Sequence, residues 1–230
     1  MKPITKLNAY AFSISTSIVY YLWVELSKIF SEVKLLNVIL TFVISIGFYR
    51  LIYKLALLIC NKNNFLRQIV LGKYYLHGIW VGFYIYKNNP TVYYEIFDQT
   101  VESLTITGRA FDLNGKYKGS WTIIDPYISV EESKISYYYE MNEISEESFT
   151  LGYAKASIIW KDQKEACQLE GFAVDGDDTS KQNFLSIKTK QKIKKIVLMN
   201  DIYNDDLFCL AKELYTKNKN CFLNETTQTN

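Results

Sequence analysis

The sequence predicts a membrane-anchored, all-β protein. An N-terminal two-helix transmembrane hairpin leads into a small, roughly eight-stranded antiparallel β-barrel, and a short C-terminal helix follows. Three observations predict this. Two long uncharged runs occupy the first 60 residues. After Gly72 the pattern changes from continuous apolar to alternating. Near the end, Leu207, Leu210, Ala211 and Leu214 recur at helical spacing. The mean hydropathy of -0.06 over 230 residues therefore averages unlike parts. Residues 1–60 hold six Lys/Arg against two Asp/Glu, a net +4, and the remainder is -2.

The first run, Asn8 to Val24, reads NAYAFSISTSIVYYLWV, and Leu26, Ile29 and Phe30 extend it. The second, Leu35 to Tyr49, reads LLNVILTFVISIGFY and continues past Arg50 and Lys54 towards Cys60. A span needs about 20 mostly apolar residues, so the spans fall at about 8–30 and 35–57 of a transmembrane region 1–62. Arg50 and Lys54, four apart, reach that length by snorkelling on one helix face. The connector, Glu25 to Lys34, is short enough for an antiparallel pair. It holds Lys28 and Lys34, whereas the far side holds Lys2, Lys6, Arg50, Lys54, Lys62 and Arg67. The positive-inside rule then places both termini, and with them the large domain, in the cytoplasm. Ser13, Ser15, Thr16, Ser17, Asn37, Thr41 and Ser45 are the polar groups available for pairing between helices. Cys60, Cys167, Cys209 and Cys221 show no C-x-x-C spacing and read as free thiols on a reducing side.

The barrel occupies residues 72–216. GIWVGFYIY, 78–86, places Ile79, Val81, Phe83 and Ile85 on one face and Trp80, Tyr84 and Tyr86 on the other. Asn88-Asn89-Pro90 marks a turn, and residues 92–107 alternate loosely. Asn114-Gly115 is the strongest hairpin signal, followed by a strand over 116–124. Further runs lie at 127–131, 134–141, 148–160, 167–174 and 184–190. Such a meander closes as a sandwich or barrel wide enough for side chains or one small ligand. Gly82, Gly119, Gly152 and Gly171 inside strand runs mark bends. A helix over 205–216, opened by Asp205 and Asp206, packs on the barrel. The polar residues 217–230 form a flexible tail.

The near-neutral charge excludes binding to polymeric nucleic acid, which needs an excess of Lys/Arg directed at phosphates. A single histidine, His77, excludes a multi-histidine metal site. No G-x-S-x-G, H-E-x-x-H or Walker loop is present, so no catalytic residues, metal ligands or cofactor are expected. Acidic residues at Glu131-Glu132 and around Glu140, Glu143, Glu146 and Glu147 read as solvated loops. Lys188, Lys190, Lys192, Lys194 and Lys195 read as a solvated edge strand or a face towards anionic lipid. Isolated cations in aromatic strands are the candidate site: Arg109, Lys118 and Lys155 for phosphate, with Tyr84, Trp121 and Tyr138 as base-stacking faces.

The order of parts, with GIWVGFYIY, the FD-x-x-G-x-x-x-G-x-W stretch at 111–121 and the tyrosine-rich ISYYYE, resembles a known family. These are the SMODS-associating two-transmembrane β-strand-rich effectors of bacterial CBASS antiphage defence, and the likeness spans residues 8 to 200. The resemblance implies that the barrel binds a cyclic dinucleotide made by a partner nucleotidyltransferase. Binding then drives self-association, the spans disrupt the inner membrane, and infection aborts. The two G-x-W tripeptides, Gly78-Ile79-Trp80 and Gly119-Ser120-Trp121, also resemble the first strand of lipocalin-like barrels. That likeness implies a membrane-tethered barrel for a small apolar ligand, with Arg109, Lys118 and Lys155 all pointing outwards.

Overall fold

The computed structural model describes residues 3–29, 34–86, 89–124, 126–143, 149–162, 165–176, 178–190 and 204–226. Two compact units emerge. One comprises Met1–Gly72 with Thr100–Glu102, the other Lys73–Gln99 with Ser103–Asn230.

The first unit is helical: α1 is Pro3–Ile29, α2 is Lys34–Lys62 and α3 is Asn64–Leu71. The helices form because the runs lack interior proline and each backbone N–H is satisfied within its own segment. α1 and α2 touch where the Phe12 and Tyr49 rings meet edge-on at 6.4 Å and Tyr49 Oη donates to Asn8 Oδ1 at 3.2 Å. A small cluster of Leu7, Cys60 and Val101 is flanked by Tyr53, Leu57, Leu66 and Val70. Most large apolar residues of α1 and α2 nevertheless face outwards, among them Phe12, Tyr20 and Trp23 on α1 and Phe42, Val43, Ile46 and Leu55 on α2. Among the described residues one segment, Phe42–Lys62, is long and apolar enough to cross a bilayer. Four of the hydroxyls expected to pair between helices are bonded within their own helix. Ser15, Thr16, Ser17 and Ser45 each donate to a carbonyl three or four residues back on their own helix. Helix geometry supplies that acceptor first, so no partner helix is needed. The side chains of Asn37 and Thr41, and connector residues 30–33, lie outside the described residues.

The second unit is a closed antiparallel barrel. Its strands are β1 Gly78–Tyr86, β2 Asn89–Gln99, β3 Leu104–Phe111, β4 Tyr117–Ile124, β5 Tyr127–Ser129, β6 Lys134–Glu143, β7 Phe149–Lys161, β8 Glu165–Asp175 and β9 Asp178–Lys188. The order β4-β3-β2-β1-β9-β8-β7-β6 closes through the β4–β6 pairing, and β5 is an appendage on β6. The loose run expected over 92–107 is two strands with residues 100–103 between them. Pro90 lies in β2 rather than in a turn, opposite Ile85 and at the start of the strand, where a missing N–H is tolerated. At the β3–β4 hairpin, Asp112 Oδ1 accepts from Asn114 N and Lys116 N, both at 2.8 Å. Gly115 there adopts a φ of 84°, which a side chain would strain.

The interior is filled by alternate residues of each strand. They include Trp80, Tyr93, Phe97, Ile106, Trp121, Ile135, Tyr137, Ile158, Leu169 and Phe184. The outer face of β1, β2 and β9 is covered by α4, Asp205–Thr226, through Leu207, Phe208, Ala211 and Leu214. α4 starts where Asn204 Oδ1 accepts from Leu207 N, and it runs beyond the expected end at 216. Asn218 and Thr216 donate to carbonyls one turn back and Lys217 pairs with Glu213, so polarity did not end the helix. Residues 227–230 of the expected tail lie outside the described residues.

Two interior glycines make room for rings, while Gly119, expected to mark a bend, lies beside the irregularity in the β3–β4 ladder. A Cβ on Gly108 would lie 2.0 Å from the Trp121 ring, and one on Gly152 would lie 2.2 Å from Tyr139. Each lets a cross-strand aromatic ring lie flat on the wall.

Candidate functional site

The barrel interior has two unlike ends and a buried acid between them. The end formed by the start of β1 and the end of β2 is apolar, closed by Leu76, Trp80, Phe97, Leu104, Ile123 and Ile158. Gln99 ties down the chain entering it. Its Oε1 accepts from Leu76 N and His77 N, and its Nε2 donates to Tyr74 O at 2.8 Å. The single histidine belongs to this clasp, its Nδ1 accepting from Gln99 N at 3.3 Å. Lys188 also lies here, which corrects the reading of a solvated edge strand. β9 pairs on both sides, with β1 and β8, and the Lys188 side chain is only 10% exposed. Its Nζ stands 3.7 Å from Glu165 Oε1 and 4.9 Å from the centre of the Tyr75 ring. Burial pushes its pKa down, and Glu165 pulls it part of the way back. Lys190 is exposed, and Lys192, Lys194 and Lys195 lie outside the described residues, as do Glu146 and Glu147.

Glu95 occupies the middle of the barrel and is 2% exposed. It opposes Gly108 on β3, which in turn opposes Trp121 on β4. Because Gly108 has no side chain, the indole of Trp121 crosses over β3 and its Nε1 donates to Glu95 Oε1 at 3.1 Å. Burial pushes the Glu95 pKa up to about 7, against the indole bond, which lowers it. Tyr93 and Tyr137 are held protonated by burial first and by the Glu95 charge second. Tyr93 Oη and Ser186 Oγ are hydrogen-bonded at 2.7 Å.

The opposite end is polar. Tyr139 Oη donates to Asp175 Oδ1 at 2.6 Å, and Gln182 Nε2 donates to the other Asp175 oxygen. Burial, then the bond to Asp175, raises the Tyr139 pKa. Tyr84 packs against the interior cluster with its ring 6.1 Å from Tyr93. Lys118 reaches this end through an irregularity in the ladder. Ala110 pairs with Gly119 but Phe111 with Tyr117, which leaves Lys118 as an extra residue on β4. Its Nζ donates at 2.9 Å to Oγ1 of Thr91, a fully buried residue on the inward face of β2.

The six residues expected to form one pocket are therefore divided. Tyr84 and Trp121 point inwards and Lys118 bonds an inward hydroxyl. Arg109, opposite Tyr94 and Ser120, faces outwards on β3. Lys155 and Tyr138 face outwards on β7 and β6, with Tyr138 80% exposed and its ring 5.2 Å from Tyr153. Strands β4 and β6 separate Arg109 from Lys155. Sequence reasoning missed Glu95, Tyr139, Asp175 and Gln182. Glu95 had a signal, an acid at the inward parity of TVYYEIF; the other three meet only across β6, β8 and β9.

The polar end thus combines ring faces, one ammonium and a carboxylate–amide–phenol cluster. Such a set can stack a planar ring, hydrogen-bond its edge and hold one phosphate. Among the described residues no group of three or more His, Cys, Asp or Glu could hold a metal ion. No known protein family, curated protein or solved structure matches this chain.

Proposed function

We propose that the protein is a membrane-anchored CBASS-type effector. In this reading α1 and α2 both span the bacterial inner membrane as a hairpin, and both termini are cytoplasmic. The polar end of the barrel takes up a cyclic dinucleotide made by a partner nucleotidyltransferase. A ligand that binds better to an assembled form shifts the population towards assembly. The gathered helices then disrupt the bilayer, and the infected cell aborts phage production.

The observation that carries this reading is the outward apolar surface of the helical unit. Phe12, Tyr20, Trp23, Phe42, Val43, Ile46 and Leu55 are all exposed to whatever surrounds α1 and α2. In water such a surface is unfavourable by about 25 cal/mol per Å² of apolar area, and lipid removes that cost. The back-bonded hydroxyls support the same reading, since hydrocarbon offers them no other partner. For the messenger, support comes from the Tyr84 ring and the Lys118 ammonium at the polar end of the barrel, with the Trp121 indole deeper inside. A lipocalin-like apolar ligand fits less well, because that end carries Tyr139, Asp175 and Gln182.

Calorimetry on the full chain in nanodiscs, with a panel of cyclic dinucleotides and trinucleotides, tests the proposal. Binding of one of them, weakened about tenfold or more by Lys118→Ala and untouched by Lys155→Ala, is the expected result. No heat from any member of the panel sinks the messenger reading. Equal loss in both variants moves the site away from the polar end.

A further inference from the structure

We propose that α3 is an interfacial anchor, lying in the lipid headgroup layer with Phe65 and Ile69 inserted at the headgroup–acyl boundary. The inference deepens the membrane reading and rests on α1 and α2 being spans. α3 begins one residue after α2 ends. That residue, Asn63, is extended, with φ -110° and ψ 109°, and its Oδ1 accepts from Phe65 N at 2.9 Å and Leu66 N at 3.3 Å. The break between the helices is thus capped and specific.

One side of α3 is already satisfied. Leu66 and Val70 pack against the Leu7–Cys60–Val101 cluster, and the buried Arg67 bonds Asn64. The other side presents Phe65 and Ile69, four apart on one helix face and 68% and 61% exposed. Continuity with the span selects lipid as their partner. α2 has 29 residues. At 1.5 Å per residue it is about 43 Å long, which matches the bilayer with its headgroups included. Its last residue, the exposed Lys62, then stands among phosphates, and α3 starts at that depth. An amphipathic helix there buries its apolar residues at the edge of the acyl region, and the exposed Lys62 just before it meets anionic headgroups.

The test uses the full chain in nanodiscs containing phosphatidylglycerol. An environment-sensitive fluorescent amino acid replaces Ile69, Val43 on α2 or Thr107 on β3, one at a time. Lipids brominated either near the headgroup or near the chain end serve as quenchers. The Ile69 probe should be quenched about twofold more by shallow than by deep bromine, and the Val43 probe should respond to deep bromine. The Thr107 probe should respond to neither. A quenched Val43 probe with an unquenched Ile69 probe overturns the α3 proposal and leaves the spans in place. If neither is quenched, the membrane reading falls with it. Quenching of the Ile69 probe by an acceptor dye on a second copy, but by no lipid, overturns it in favour of self-contact.

Discussion

Phe42 and Phe97 are the same side chain in opposite settings. On α2 the ring of Phe42 is 65% exposed, while on β2 that of Phe97 is fully buried against Trp80 at 5.2 Å. The contrast holds for the units around them. The barrel hides its rings inside and under α4. The helical unit keeps one small internal cluster and turns most of its apolar residues outwards. The fold buries one set of rings and leaves the other uncovered, and under the membrane proposal lipid covers the second set. The difference also locates the polar chemistry: in the barrel, buried polar groups such as Glu95 and Asp175 meet hydrogen-bond partners on neighbouring strands. On α1, Ser15, Thr16 and Ser17 donate to carbonyls of their own helix.

The strongest way to break this comparison is to truncate both rings. Phe97→Ala should destabilise the barrel by about 3–5 kcal/mol, since it leaves a cavity where nothing can collapse. Phe42→Ala should leave barrel melting within about 0.5 kcal/mol of wild type, as expected for a side chain outside any packed core. Both are read by thermal unfolding of the full chain in detergent. Equal losses in the two variants would mean that Phe42 is buried in the protein and that the unit does not face lipid.

The buried acid gives a somewhat smaller effect, with a definite sign. Glu95 holds its proton up to about pH 7 in the fold, against 4.5 when free. Between those values the folded state binds more protons than the unfolded one, so stability falls as pH rises from about 4.5 to about 7 and then levels. Glu95→Gln keeps an oxygen for the Trp121 indole and cannot ionise. The variant should match wild type near pH 4.5 and exceed it by about 3 kcal/mol at pH 8. A gap between the two that does not change with pH would show that Glu95 is not held neutral.

The smallest effect sharpens the barrel side alone. Asp112→Ala removes the acceptor for Asn114 N and Lys116 N and should cost about 1 kcal/mol. The unfolding temperature should fall slightly, with no change in membrane partition. A change in partition would show that the barrel hairpin contributes to anchoring.

Local pattern made much of the architecture readable. β1 was legible to the residue, because alternation in GIWVGFYIY has a period of two and needs no partner to detect it. The Asn-Gly turn was legible for a similar reason, since the positive φ at Gly115 is a property of one residue. Within the site, parity put Tyr84 on the face of Trp80, and Glu95 shares the parity of Tyr93 and Phe97, without saying which face is the inside.

Neighbouring residues alone set the contrast of the two parts: uncharged helical runs first, alternating strands after. Those are properties of neighbours along the chain. Which alternating face is the inside follows from long-range packing, because α4 buries Ile79, Val81 and Phe83 on the outer wall as thoroughly as the barrel buries Trp80. Only closure through β4 and β6 separated Arg109 from Lys155. The ladder irregularity at Lys118 aimed that one cation at Thr91, and Gly108 let Trp121 reach across a strand to Glu95. Each of these depends on register between strands distant in sequence, and a shift of one residue there exchanges the two faces.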